Sequence, residues 1–134
     1  MLKKSTLFSL VVLITVLLSS CGKYEEGPAF SLATKKARLT ARWKVIEMNG
    51  IAVAGNVVWI FENNGSFVME FNGNPNNNPA KWDFEDAKAK VSIYFEQDDV
   101  TIYYDIIKLT SNEMWLDQET GGGNYVRYKF ERDE

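Results

Sequence analysis

From Arg42 onward the apolar residues fall on every second position, run after run, and this alternation most constrains what the chain can fold into. Successive side chains of an extended backbone point to opposite faces, so a period of two marks a strand with one buried face. Trp43 and Val45 alternate with Lys44 and Ile46. Val57, Trp59 and Phe61 make one face, and Phe67, Met69 and Phe71 another. Trp82 and Phe84 alternate with Asp83 and Glu85, and Val91, Ile93 and Phe95 with Ser92, Tyr94 and Glu96. Runs at 100–110, 113–118 and 124–131 complete eight strand candidates.

The turns between these runs set the register. A two-residue hairpin at Asn64-Gly65 would mix apolar and polar faces. A three-residue loop, Asn63-Asn64-Gly65, sets Phe61 opposite Phe67, Trp59 opposite Met69 and Val57 opposite Phe71. That loop wants a left-handed residue third, which glycine supplies. A four-residue loop over 86–89 aligns Phe84 with Val91, Trp82 with Ile93 and Glu85 with Lys90. A turn at Asp98-Asp99 aligns Phe95 with Ile102, Ile93 with Tyr104 and Val91 with Ile106. The run 113–118 fits either register. Apart from 72–79, the longest polar loop and a candidate rim, the connections read as short. Neighbours joined by hairpins form an antiparallel meander, and eight such strands close most naturally into a barrel, which removes unpaired edges.

The N-terminal part reads differently. Lys3 and Lys4 precede a twelve-residue, largely apolar run, Leu7 to Leu18. This suits a cleaved export signal over 1–20 and falls short of the ~20 apolar residues of a membrane span. The run ends in Leu18-Ser19-Ser20-Cys21, which resembles the lipobox of bacterial lipoproteins. That resemblance implies cleavage before Cys21 and acylation of its thiol, the only cysteine in the chain. Residues 21–31 then form a flexible tether carrying Gly22, Gly27 and Pro28. Within it, Lys23-Tyr24-Glu25-Glu26 resembles surface-export signals of some Gram-negative lipoproteins, and reads equally as a solvated linker. Ser31 is a helix N-cap candidate, and Leu32 and Leu39 give the following short helix an apolar stripe. The domain proper is assigned to 32–134.

At Leu39-Thr40-Ala41-Arg42-Trp43 the chain is similar to the lipocalin-like lipoproteins of Gram-negative bacteria. The likeness lies in a short helix, a Leu-x-Gly-x-Trp motif entering the first strand (here with Ala41 at the glycine position) and an eight-strand meander. It covers roughly residues 31–132. It implies an all-β, eight-stranded antiparallel up-and-down lipocalin-like barrel with a short N-terminal helix, after the cleaved signal peptide. It also implies a binding barrel without chemistry of its own. In that family an arginine after the last strand stacks on the first-strand tryptophan across the barrel floor. Arg132 is the positional match for Trp43, with Arg127 second.

Composition narrows the function. Without residues 1–20 the chain loses Lys3 and Lys4, leaving 13 basic against 18 acidic residues, a net −5. Nucleic-acid binders carry a basic face, so no nucleic-acid partner is expected. Histidine is absent, which removes the commonest general acid/base and metal ligand. No serine or acid pair stands out as nucleophile with base, so no catalytic residue, metal or cofactor is assigned. The acid- and glycine-rich stretch Asp117 to Asn124 reads as a hairpin, not a calcium loop.

Two functions are expected. The first is a lipid-anchored envelope lipoprotein of the outer membrane, on its periplasmic face or the cell surface, binding a small apolar ligand at one barrel mouth. The alternative is a structural or interaction lipoprotein with a filled barrel, meeting an envelope protein. An eight-stranded barrel either fills with side chains or holds one small ligand. The assigned inner face carries Trp59, Phe61, Phe67, Met69, Phe71, Trp82, Phe84, Phe95 and Tyr104, enough bulk to occupy most of the lumen. Any ligand site is therefore expected to be shallow, lined by Trp59, Phe61 and Tyr104.

Overall fold

The alternating runs close into a barrel of eight antiparallel strands, completed when the last strand pairs with the first. The structure, a computed structural model, describes residues 34–133. The expected export signal, Cys21, the expected tether and the first residues of the expected helix (Ser31, Leu32 and Ala33) lie outside the described residues. Residues 35 onward form one compact unit.

Helix α1 is a single turn and a half, Lys35–Leu39. Ten strand elements follow: β1 Arg42–Met48, β2 Ile51–Ala52, β3 Val57–Phe61, β4 Ser66–Phe71, β5 Asn74–Pro75, β6 Ala80–Glu85, β7 Lys90–Phe95, β8 Val100–Leu109, β9 Glu113–Gly121 and β10 Asn124–Arg132. The two-residue pieces β2 and β5 pair back onto β1 and β4 and stand outside the barrel wall. The other eight run in up-and-down order, consistent with a lipocalin-like fold.

The first hairpin has the expected register: Val57 opposite Phe71, Trp59 opposite Met69 and Phe61 opposite Phe67. Gly65 takes φ 93 in the loop. The Gly65 amide donates to the Glu62 carbonyl at 3.1 Å, and the Glu62 amide donates to Ser66 at 2.9 Å. The β6–β7 hairpin also has the expected pairs, Phe84 with Val91, Trp82 with Ile93 and Glu85 with Lys90.

The β7–β8 pairing differs from expectation by two residues. Val91 lies opposite Tyr104, Ile93 opposite Ile102 and Phe95 opposite Val100, across a four-residue loop at 96–99. A two-residue turn at Asp98-Asp99 would need left-handed backbone at both central residues, without a glycine. The longer loop needs it only at Asp99, φ 49. Tyr94 Oη donates to Asp99 Oδ1 at 2.9 Å, and Asn78 Nδ2 donates to Asp98 Oδ2 at 3.3 Å. A shift of two preserves every face, so Asp105 still points outward and meets Lys90 at 3.5 Å.

Besides a register shift at the β9–β10 turn, between Asn124 and Tyr125, two irregularities re-phase the long strands, one between Val45 and Glu47 in β1 and one between Ile106 and Lys108 in β8. Each of these two inserts an extra residue, Ile46 and Ile107, both exposed. Bulges bend a strand and increase its twist, which closing a small barrel requires. The register left open for β9 resolves as Met114 opposite Phe130 and Leu116 opposite Tyr128.

The core is the barrel lumen. Trp43, Val45, Trp59, Phe61, Phe67, Trp82, Val91, Ile93, Tyr104, Met114, Leu116 and Phe130 are buried together, with Leu39 of α1 added at one end. Phe71 departs from the expected inner face, at 48% exposure. β4 pairs with β6 only through Ser66 and Phe67, then runs on beside β5. Phe71 ends that extension, where no opposite wall covers it.

Candidate functional site

Of the residues expected at a barrel mouth, Trp59 and Tyr104 come together, with ring centroids 5.5 Å apart. Trp59 also meets Phe67 at 5.6 Å, Tyr128 at 5.4 Å and Phe130 at 5.0 Å. Phe61 belongs to a different layer, packed on Phe67 at 5.0 Å and Trp82 at 5.8 Å, near the α1 end. Its amide donates to the Ala41 carbonyl at 3.1 Å. Exposure is 5% for Trp59, 1% for Phe61 and 3% for Tyr104. A space large enough for water would appear as accessible surface on the side chains that line it. These three offer almost none, so the lumen around them is occupied by neighbouring rings.

A polar layer sits above Trp59. Tyr128 Oη donates to Gln118 Oε1 at 3.1 Å, and the Tyr104 and Tyr128 rings lie 6.0 Å apart. Burial pushes the Tyr104 hydroxyl well above the ordinary tyrosine value, with Tyr128 adding to it. Burial raises Tyr128 in the same direction.

At the opposite end, Trp43 and Arg132 are cross-strand partners. The Trp43 indole Nε1 donates to the Leu39 carbonyl at 3.0 Å, giving a buried polar atom its partner from the end of α1. Arg132 Nη1 donates to the Ser111 carbonyl at 3.0 Å, on the β8–β9 turn. Arg38, from α1, is itself buried beside this end. Ala41, where the resembled family has glycine, does not need positive φ and packs against the core.

Arg127 faces outward. Its Nε and Nη2 donate to Asp117 Oδ1 and Oδ2 at 2.8 and 2.9 Å, a two-pronged pair directly across β9 and β10. Beside it Trp115 carries cations against its ring: Lys129 Nζ at 4.4 Å, Lys108 Nζ at 5.0 Å and the Arg127 guanidinium at 5.6 Å. Each cation has an acid, Lys108 with Glu113 at 2.6 Å and Lys129 with Glu47 at 3.5 Å. Next to this array lies an open cleft of about 490 Å³, walled by Glu47, Asn49, Gly50, Asp117, Tyr125, Arg127 and Lys129. Two further clefts, of about 300 and 460 Å³, lie outside the β3–β4 hairpin and beside the β8–β9 turn. None of these three is lined by Trp59, Phe61 or Tyr104.

Sequence reasoning missed this outer cluster. Alternation alone puts Trp115 and Asp117 outside on β9, and Tyr125, Arg127 and Lys129 outside on β10. With the register of 113–118 open, nothing said which of them meet. Compared with known proteins, the chain matches no family model and no curated sequence.

Proposed function

We propose that this chain is a lipid-anchored envelope lipoprotein whose lipocalin-like barrel is non-catalytic and works through its outer surface, not as a carrier. One observation supports this reading above others: the lumen is packed with rings, and Trp59, Phe61 and Tyr104 have almost no surface to offer. Binding energy in a lipocalin-style calyx comes from burying the ligand's apolar surface against such walls. Here the walls already bury one another. The half-exposed Phe71 at the rim supports a lesser reading, a small apolar ligand resting on one mouth.

The anchor rests on the lipobox match behind the apolar run. One acyl chain holds a protein to a bilayer marginally, whereas two or more hold it stably. Fatty-acid labelling of the wild-type chain and of Cys21→Ala tests it. Label on the wild type and none on the variant is expected, while label persisting on the variant would refute the attachment. Native mass spectrometry of the detergent-extracted wild type tests the rest. The lipidated chain should fly without a further ligand, and a stoichiometric apolar adduct would restore the carrier reading.

A further inference from the structure

We propose that the cleft between the β1–β2 turn and the outer face of β9 and β10 binds a neutral saccharide. It is an open cleft of about 490 Å³ whose lining carries two acids, two bases and one tyrosine. Its charges cancel: Glu47 pairs with Lys129 and Asp117 with Arg127. A strongly charged ligand would therefore gain no net attraction and would break pairs already made.

What remains is hydrogen-bonding capacity. Asp117 is only 9% exposed, and its carboxylate keeps acceptor positions beyond the two used by Arg127. Arg127 spends Nε and one Nη2 hydrogen on that pair, leaving both hydrogens of Nη1 outside it. Acceptor and donor thus stand side by side in one rigid fork. A sugar offers hydroxyls for both, one donating to the carboxylate while another accepts from the guanidinium.

Tyr125 supplies the apolar half of the recognition. The residue is 46% exposed, which a single tyrosine on a strand face tolerates but does not require. The negative face of the ring attracts the C–H edge of a sugar ring. The facing wall is held in place, because the Asn49 amide donates to the Arg127 carbonyl at 2.7 Å. The site is thus preorganised.

The test is amide NMR of the full chain in detergent micelles, titrated with methyl α-glucoside, methyl α-mannoside, methyl β-galactoside and lactose. The proposal expects saturable shifts at Asn49, Gly50, Tyr125 and Arg127 with at least one of them. Tyr125→Phe should keep the binding. Tyr125→Ala, a change at an exposed site, should weaken it by about two- to tenfold, the scale of one lost ring contact. Asp117→Asn should weaken it as well. Three results overturn the proposal: no saturable shift with any of the four glycosides, shifts indifferent to Tyr125→Ala, or tighter binding of glucuronate than of methyl glucoside.

Discussion

Trp43 joins three parts of the molecule: it fills the floor of the lumen, pairs across to Arg132 and ties its indole to the Leu39 carbonyl of α1. Trp43→Ala should cost ~3–5 kcal/mol in urea unfolding, through lost volume and an orphaned carbonyl. Arg132→Ala removes one hydrogen bond to the Ser111 carbonyl and should cost ~0.5–1.5 kcal/mol. If the two variants melt alike, the floor is not organised around the tryptophan. The tyrosines give a pH prediction. Burial raises the Tyr104 hydroxyl above its ordinary value of 10.0 in the folded chain. A group raised by folding contributes stability that is full below its unfolded value and lost as pH climbs beyond it. Stability should therefore hold below about pH 10 and fall above it, with Tyr104 ionising only as the barrel opens. Acid acts at Glu70, whose carboxyl is held below its ordinary 4.5 by its hydrogen bond to Arg42. That contribution is present above pH 4.5 and is lost as pH falls through the depressed folded value. Ultraviolet tyrosine absorbance and circular dichroism, followed together across pH, check both limbs.

Hairpins carry the register, and their backbone angles are where single substitutions should speak. Gly65 has room for a methyl group, its nearest atom being the Trp82 carbonyl oxygen at 3.8 Å, but it sits at φ 93. Gly65→Ala should therefore destabilise by ~1–2 kcal/mol through strain alone. The β6–β7 loop shows the converse, with Asp86, Ala87 and Lys88 all left-handed at φ 50, 51 and 68. Ala87→Gly should stabilise by ~0.5–1 kcal/mol, and a thermal midpoint that drops instead would show the loop is not strained. These elements also show what the sequence carried. The β3–β4 and β6–β7 hairpins were legible because the shortest loops of the right parity kept Trp59, Phe61 and Phe67, or Trp82 and Phe84, on one face, and in β3–β4 that loop put glycine at its left-handed third position. The β7–β8 loop was not, because registers two residues apart bury the same side chains and only the φ demand at Asp98-Asp99 separates them. The bulges left a trace: apolar spacing runs Trp43, Val45, Met48 and Ile102, Tyr104, Ile106, Leu109, a step of three after steps of two. β2 and β5 left none, being two residues each. The outer cluster around Trp115 and Arg127 needed the β9–β10 register, which charge and alternation do not supply.

At the scale of the whole molecule, closure and filling belong together. Eight strands leave an interior that side chains can fill, and this chain spends its large aromatics there. Trp59 alone touches Phe67, Tyr104, Tyr128 and Phe130, and Trp82 touches Phe61 and Phe84. Such a core stabilises a small domain that has no disulfide to help it. On the proposed reading, function then falls to the outside of the wall. Fluorescence titration of the full chain in detergent micelles with fatty acids of graded length tests that account most directly, since Trp59 and Trp82 face the lumen. The account predicts tryptophan emission unchanged in position and intensity across the series. Saturable one-to-one quenching at micromolar affinity would contradict it, by showing that a ligand displaces the packed rings.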